Sequence, residues 1–175
     1  MILKKMKVKN FRLLKNFELN FKDELSLVIG KNNCGKTSSI IVLDKMLNSS
    51  KLFWEDINLE CQKDLYKKII GFDITKLDEV QLLETINMQL FIEYNDNDSY
   101  ENIQKFMIDL NPDNNIIVLE FISLIAAKKI IELKNIMSEK NIEDFKSFFK
   151  FMSKILETSL KRKNIQEGLM LKQTK

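Results

Sequence analysis

The 175-residue sequence predicts an α/β fold, on three observations. An apolar run at 25–29 (LSLVI) leads straight into a glycine-bounded loop and then into a segment of helical period. Two other stretches, 3–10 and 87–94, have the composition and length of strands. From about Leu124 onward the apolar spacing becomes helical. Strands interleaved with helices around one apolar core define the class.

Each element follows in order. Residues 3–10 alternate, Met6 and Val8 facing one way and Lys5, Lys7 and Lys9 the other, which is the pattern of a half-buried strand. Phe17, Leu19 and Phe21 repeat the alternation after a short connection at 12–16, so an antiparallel pair is expected. Residues 25–29, apolar except for Ser26, read as a more fully buried strand. The helix expected over 36–47 would bury Ile40, Ile41, Leu43, Met46 and Leu47, and 48–50 (NSS) would end it. Leu59, Leu65, Tyr66, Ile69 and Ile70 suggest a second helix, whereas 71–84 have no clear period. Residues 87–94 (NMQLFIEY) form a strand. A short helix then carries Tyr100, Ile103, Phe106, Met107 and Leu110, a turn is written into 111–115 (NPDNN), and 116–122 form a further strand. Ala127, Ile130, Ile131 and Met137 mark one helix. Ile142, Phe145, Phe148, Phe149, Met152, Ile155, Leu156 and Leu160 mark another with a broader stripe, the two forming a helical hairpin. That stripe is expected to serve as core or as a partly exposed interface.

Composition narrows the chemistry. The 45% hydrophobic content suffices for a core, and the net charge of +3 does not demand a nucleic-acid partner. Histidine is absent, which removes Ser-His-Asp and Cys-His catalysis and the commonest zinc ligand. Cys34 and Cys61 cannot by themselves build a disulfide framework or a cysteine-based metal site. No signal peptide is visible and no run of about 18 apolar residues could span a bilayer, so a cytoplasmic setting without a membrane partner is expected. Lys161, Arg162, Lys163, Lys172 and Lys175 face only Glu167 in the last fifteen residues, a basic tail whose default reading is solvated charge.

Glycine is scarce, four in all, and two of them lie within 30–37 (GKNNCGKT). This window meets G-x-x-x-x-G-K-[ST], the Walker A pattern, at every fixed position, where chance would supply a match roughly once in 1,000 such chains. Strand before and helix after are the context the pattern requires. Gly30 lets the chain turn, and Gly35 lets the backbone close on an anion. The amides of the loop (Gly30, Asn32, Asn33, Cys34, Gly35) and of the helix start (Lys36, Thr37, Ser38) form the nest. Lys36 would reach the β- and γ-phosphates of ATP, and the Thr37 hydroxyl would bind Mg²⁺. Cys34 occupies a variable position. A small residue tolerated there is the bland reading, and a thiol activated by the helix terminus the sharper one.

The GxNNxGKT form of this loop resembles that of ABC-type ATPases of the OLD (overcoming lysogenization defect) family, relatives of the RecF and SMC ATPases. VKNFR at 8–12 resembles the end of their first strand, and weaker likeness continues through FWEDI at 53–57, FIEY at 91–94 and FMIDL at 106–110. The resemblance implies an ABC-ATPase-like N-terminal lobe with a mixed sheet. It places Arg12 near the nucleotide and makes Gln81 or Gln89 a candidate magnesium- and water-holding glutamine. It also implies an ATPase acting on DNA in defence or repair, in which a second head closes over ATP.

Other family parts are not found. There is no Ser-Gly pair for a signature motif and no switch histidine, and IIVLE at 116–120 imitates a Walker B with one acid where two are needed. A core strand is the better reading of that run. No catalytic residue is assigned. The expected organisation is a lobe over 1–123, the hairpin over 124–163 and the basic tail over 164–175. Hydrolysis would need a second head or a C-terminal half. The alternatives are a non-catalytic nucleotide-binding interaction module or truncated remnant, and a small P-loop kinase. The missing lid arginines count against the kinase, since Arg12 and Arg162 are the only arginines in the sequence.

Overall fold

In a computed structural model, residues 1–32, 34–48, 51–72, 83–95, 97–99, 101 and 115–155 are described. Asn33, Gln81, the helix expected around Ile103–Leu110, most of the 111–115 turn, the end of the last stripe and the basic tail lie outside them.

Strand β1 (Ile2–Phe11) pairs antiparallel with β2 (Leu14–Asn20), which fits the alternation. Met6 and Val8 are buried, while Lys5 and Lys7 reach across to Glu18 at 3.2 and 3.6 Å on the wetter face. Next to β1 on its other side is β3 (Leu83–Glu93), and beyond it β4 (Ile116–Ile125). The order is β2-β1-β3-β4 and every pairing is antiparallel, so the described sheet is not mixed as the family likeness implied. Residues 116–122 do form a strand, but it runs on to Ile125, past the point where helical period was expected to begin.

Helix α1 (Lys36–Leu47) follows the glycine loop, a 3₁₀ turn covers Trp54–Asp56, and α2 is Leu59–Ile70. Asn58 caps α2 by accepting the Glu60 amide at 3.1 Å, and Gly71 follows its end. Helices α3 (Ala127–Glu139) and α4 (Phe145–Ile155) form where the periodicity put them. Asp144 holds the start of α4, accepting the Ser147 amide at 2.9 Å and its hydroxyl at 2.7 Å. Both helices pack on α2, which also contacts strand β3, and α4 packs on the 3₁₀ turn.

One apolar cluster unites these parts. Trp54, Phe11, Phe148, Met6, Ile57, Leu65 and Met88 are all fully buried, and Trp54 meets Phe148 edge-on with ring centroids 5.6 Å apart. The α4 stripe therefore faces this chain's own core: Phe148, Phe151 and Met152 are buried, with Phe145 and Phe149 packed at the margin. Of the two roles expected for it, the described part of the stripe takes that of core.

Two further expectations change. Residues 25–29 form no strand, and Leu25, Leu27, Val28 and Ile29 are exposed. A strand exists only by pairing, and no described strand lies alongside this one. On α1 the buried face is Ser38, Ser39, Val42 and Met46, while Ile40 and Leu47 are exposed. Steps of four from Ser38 through Val42 to Met46 place that line toward the core, a phase the crowded apolar residues of the helix do not reveal.

Candidate phosphate-binding loop

The loop begins where the 25–29 segment reaches Gly30 and closes where Gly35 hands the chain to α1. Gly35 has φ 94° and ψ 6°, a left-handed conformation that costs an L-residue its Cβ clearance. A Cβ there would also come within 2.7 Å of Leu14 Cδ2. Leu14 opens β2, so the β1–β2 turn presses against the back of the loop. At Gly30 the space a Cβ would need is filled by Cys34 Sγ, 2.8 Å from that point. The Cys34 side chain thus points across the loop.

Helix α1 starts without a side-chain cap and with no acid in its first turn. Its first ladder bond joins the Ser39 amide to the Gly35 carbonyl at 3.0 Å, so the amides of Lys36, Thr37 and Ser38 have no acceptor among the described residues. The Lys36 ammonium folds back over the loop, donating to the Gly30 carbonyl and to the Lys31 carbonyl at 2.7 Å, with Cys34 Sγ at 3.7 Å. Thr37 is exposed. Three amides without an acceptor among the described residues, the positive end of a helix dipole and one ammonium thus lie together at the start of α1, and these are donor types that favour an anion.

Arg12 shares the turn that touches Gly35, but its guanidinium is directed elsewhere. Its Nε and a terminal nitrogen both donate to Asp56 Oδ1, at 2.9 and 2.8 Å. Lys45 of α1 takes the other carboxylate oxygen, and the Phe53 amide donates to the same atom at 3.0 Å. Asp56 is buried, so one carboxylate locks the β1–β2 turn, α1 and the 3₁₀ turn together. This hub escaped sequence reasoning. Its only signal was FWEDI at 53–57, a likeness without an assigned role.

The other candidates do not gather here. Gln89 donates to Glu120 Oε1 at 2.8 Å and Asn87 to the same oxygen at 3.0 Å, a cross-strand cluster on β3 and β4. Glu120 is thereby held as part of a strand surface. Asn32, within the loop, is exposed. Among the described residues no group of three or more acidic, cysteine or histidine side chains could hold a metal ion, and no helix is long and apolar enough to cross a membrane.

Comparison with known proteins places this loop in context. A family model described as an AAA ATPase domain matches residues 1–174. Endonuclease GajA of Bacillus cereus (strain HuB5-5) is 32% identical over 195 aligned positions, covering 92% of this chain and 27% of that protein. The chain thus spans about a quarter of the length of this relative. Matched from end to end by the family model, and carrying an α/β fold, it belongs to the AAA ATPase domain family.

Proposed function

We propose that the chain binds Mg-ATP in the 30–37 loop, as the N-terminal portion of an OLD-like ABC-type ATPase. The observation that carries this reading is Lys36, whose ammonium lies against two carbonyls of its own loop at the uncapped start of α1. A bound triphosphate would offer that ammonium phosphate oxygens in their place, while the loop and helix amides receive the same charge. Asn33 would contribute an amide to this cradle, and Ser38 one from the helix start.

Magnesium fits the donors present. Mg²⁺ commonly takes one or two protein oxygens and completes its octahedron with phosphate oxygens and water. The hydroxyl of Thr37, an exposed residue in the first turn of α1, suits that role. When bound, the ion would neutralise phosphate charge. Lys36 would hold the β- and γ-oxygens, and Gly35 would keep the amides close to them. Arg12 would act from behind the loop, fixing the β1–β2 turn through Asp56.

Hydrolysis on this reading requires a second head or the portion of the ATPase beyond the region matched here. The endonuclease relative makes DNA the polymer to test as a substrate of the assembled protein, and defence or repair the setting. Calorimetric titration tests the binding claim. Mg-ATP should bind the unaltered chain, and Lys36→Ala should weaken it tenfold or more, since a charged hydrogen bond contributes about 1.5–3 kcal/mol. Equal affinities would remove Lys36 from the site.

A further inference from the structure

The β1–β2 hairpin holds two residues other than glycine in the left-handed region, Asn10 at φ 62° and Arg12 at φ 48°. Such conformations persist only where the surroundings over-determine them, and they gather at functional sites. Here the surroundings are the 53–58 segment. The Arg12 amide donates to the Asp56 carbonyl and the Asn58 amide to the Asn10 carbonyl, each at 2.8 Å. Asn58 Nδ2 donates to the Arg12 carbonyl at 2.6 Å, and Phe11 bridges to Ile57. The Asp56 carboxylate adds side-chain ties of its own, with Arg12 on Oδ1 and with Lys45 and the Phe53 amide on Oδ2. These contacts close a ring. One arm runs from Asp56 through Arg12 to Leu14, whose Cδ2 stands where a Cβ on Gly35 would be. The other runs through Lys45 and back along α1 to the same Gly35. The point where the glycine loop meets its helix is thus held from two sides, and both sides end on one buried carboxylate.

We infer that Asp56 and Lys45 are positioning residues for the phosphate loop. The clamp they form fixes where the Gly35 amide and the first turn of α1 stand, and so sets the affinity for a nucleotide's phosphates. Lys45 lies nine residues beyond Lys36, about 13 Å along the helix, so it acts on the loop through α1 and not by touching a ligand there. The inference rests on the nucleotide reading for its ligand, whereas the loop geometry it predicts is measurable with no ligand present. The sign of the effect separates positioning from charge. Asp56 is an anion, and its removal leaves the Arg12 and Lys45 cations unopposed. Coulomb attraction alone would then strengthen the binding of a triphosphate. Positioning predicts the reverse.

The test compares the full chain with Asp56→Asn, Lys45→Met and Leu133→Ala. The last truncates a fully buried residue of α3, an element outside the ring, and serves as a destabilised control. Without nucleotide, the Gly35 amide resonance and the alkylation rate of Cys34 report the loop. Calorimetry with Mg-ATP then reports affinity, each variant being held well below its melting temperature. Both clamp variants should move the Gly35 resonance and change the Cys34 rate at least threefold, and Asp56→Asn should bind Mg-ATP at least tenfold more weakly. Leu133→Ala should melt lower yet match the unaltered chain in all three readouts. Lys45→Met keeps the Asp56–Arg12 pair and removes the surplus cation, so its unliganded loop tests the clamp even where Asp56→Asn does not fold. A clamp variant with unchanged loop signals overturns the inference. So does equal or tighter Mg-ATP binding by Asp56→Asn, or a Leu133→Ala protein whose loop signals change as much. Absence of Mg-ATP binding by the unaltered chain, with loop signals shifted in both clamp variants, would count against the nucleotide reading while upholding the clamp.

Discussion

Gly35 answers to two constraints at once. Its φ of 94° is strained for any other residue, and Leu14 Cδ2 occupies the place of its missing Cβ. Substitution by alanine should therefore cost about 1–3 kcal/mol in backbone strain and displace the β1–β2 turn. Thermal denaturation should show the loss, and calorimetry should show nucleotide affinity falling with it. A Gly35→Ala protein with unchanged melting temperature and affinity would mean the loop tolerates a Cβ. Asp56 is the complementary case. Its identity is plain in the sequence, but its role depends on Arg12, Lys45 and Phe53 arriving from three places in the chain. No spacing rule announces such a meeting. Walker A was legible because its residues are contiguous and each has a local reason to be there.

At the level of elements, periodicity located β1, β2, α2, β3, α3 and α4 because each buries one face against partners within the chain. It failed where partners decide the outcome. Residues 25–29 have the composition of an interior strand yet form none, and α1 turns Val42 inward and Ile40 outward although both are β-branched and apolar. The α4 stripe was legible in period, while its destination, core or interface, was decided only by the packing. Phe148 is fully buried against Trp54 and Tyr66, at centroid distances of 5.6 and 4.9 Å. Truncating it in Phe148→Ala should destabilise the chain by about 3–5 kcal/mol in denaturant titration, as for other buried aromatic residues. Ile40→Ala, on an exposed site, should change stability little. Comparable small losses for both would place α4 outside the core.

For the whole molecule, the proposed reading predicts binding without turnover by the chain alone. Phosphoryl transfer to water needs the γ-phosphate charge stabilised and a water positioned against it. On the proposed reading the 30–37 loop would provide for the first need, whereas Glu120, the acid of the Walker B-like run at 116–120, is engaged by Asn87 and Gln89 on the sheet. Single-turnover hydrolysis by the chain alone should therefore stay near background, with Lys36→Ala as the control for contaminating ATPases. Lys36-dependent turnover of about 1 s⁻¹ or faster, within the ordinary enzyme range, would reveal a complete site. The central claim is narrower, that a nucleotide's phosphates occupy the loop, and Cys34 reports on it directly. Its thiol is exposed and points across the loop toward Gly30 and Lys36. Cys61 supplies an internal reference, because burial pushes its thiol up to about 11 and leaves little reactive thiolate at pH 8. Alkylation at pH 8 should label Cys34 readily and Cys61 slowly, with Cys61 gaining reactivity only as the pH climbs toward that value. Saturating Mg-ATP should slow Cys34 labelling at least tenfold and leave Cys61 unchanged, whereas Cys34 labelling at the same rate with and without Mg-ATP would contradict the assignment.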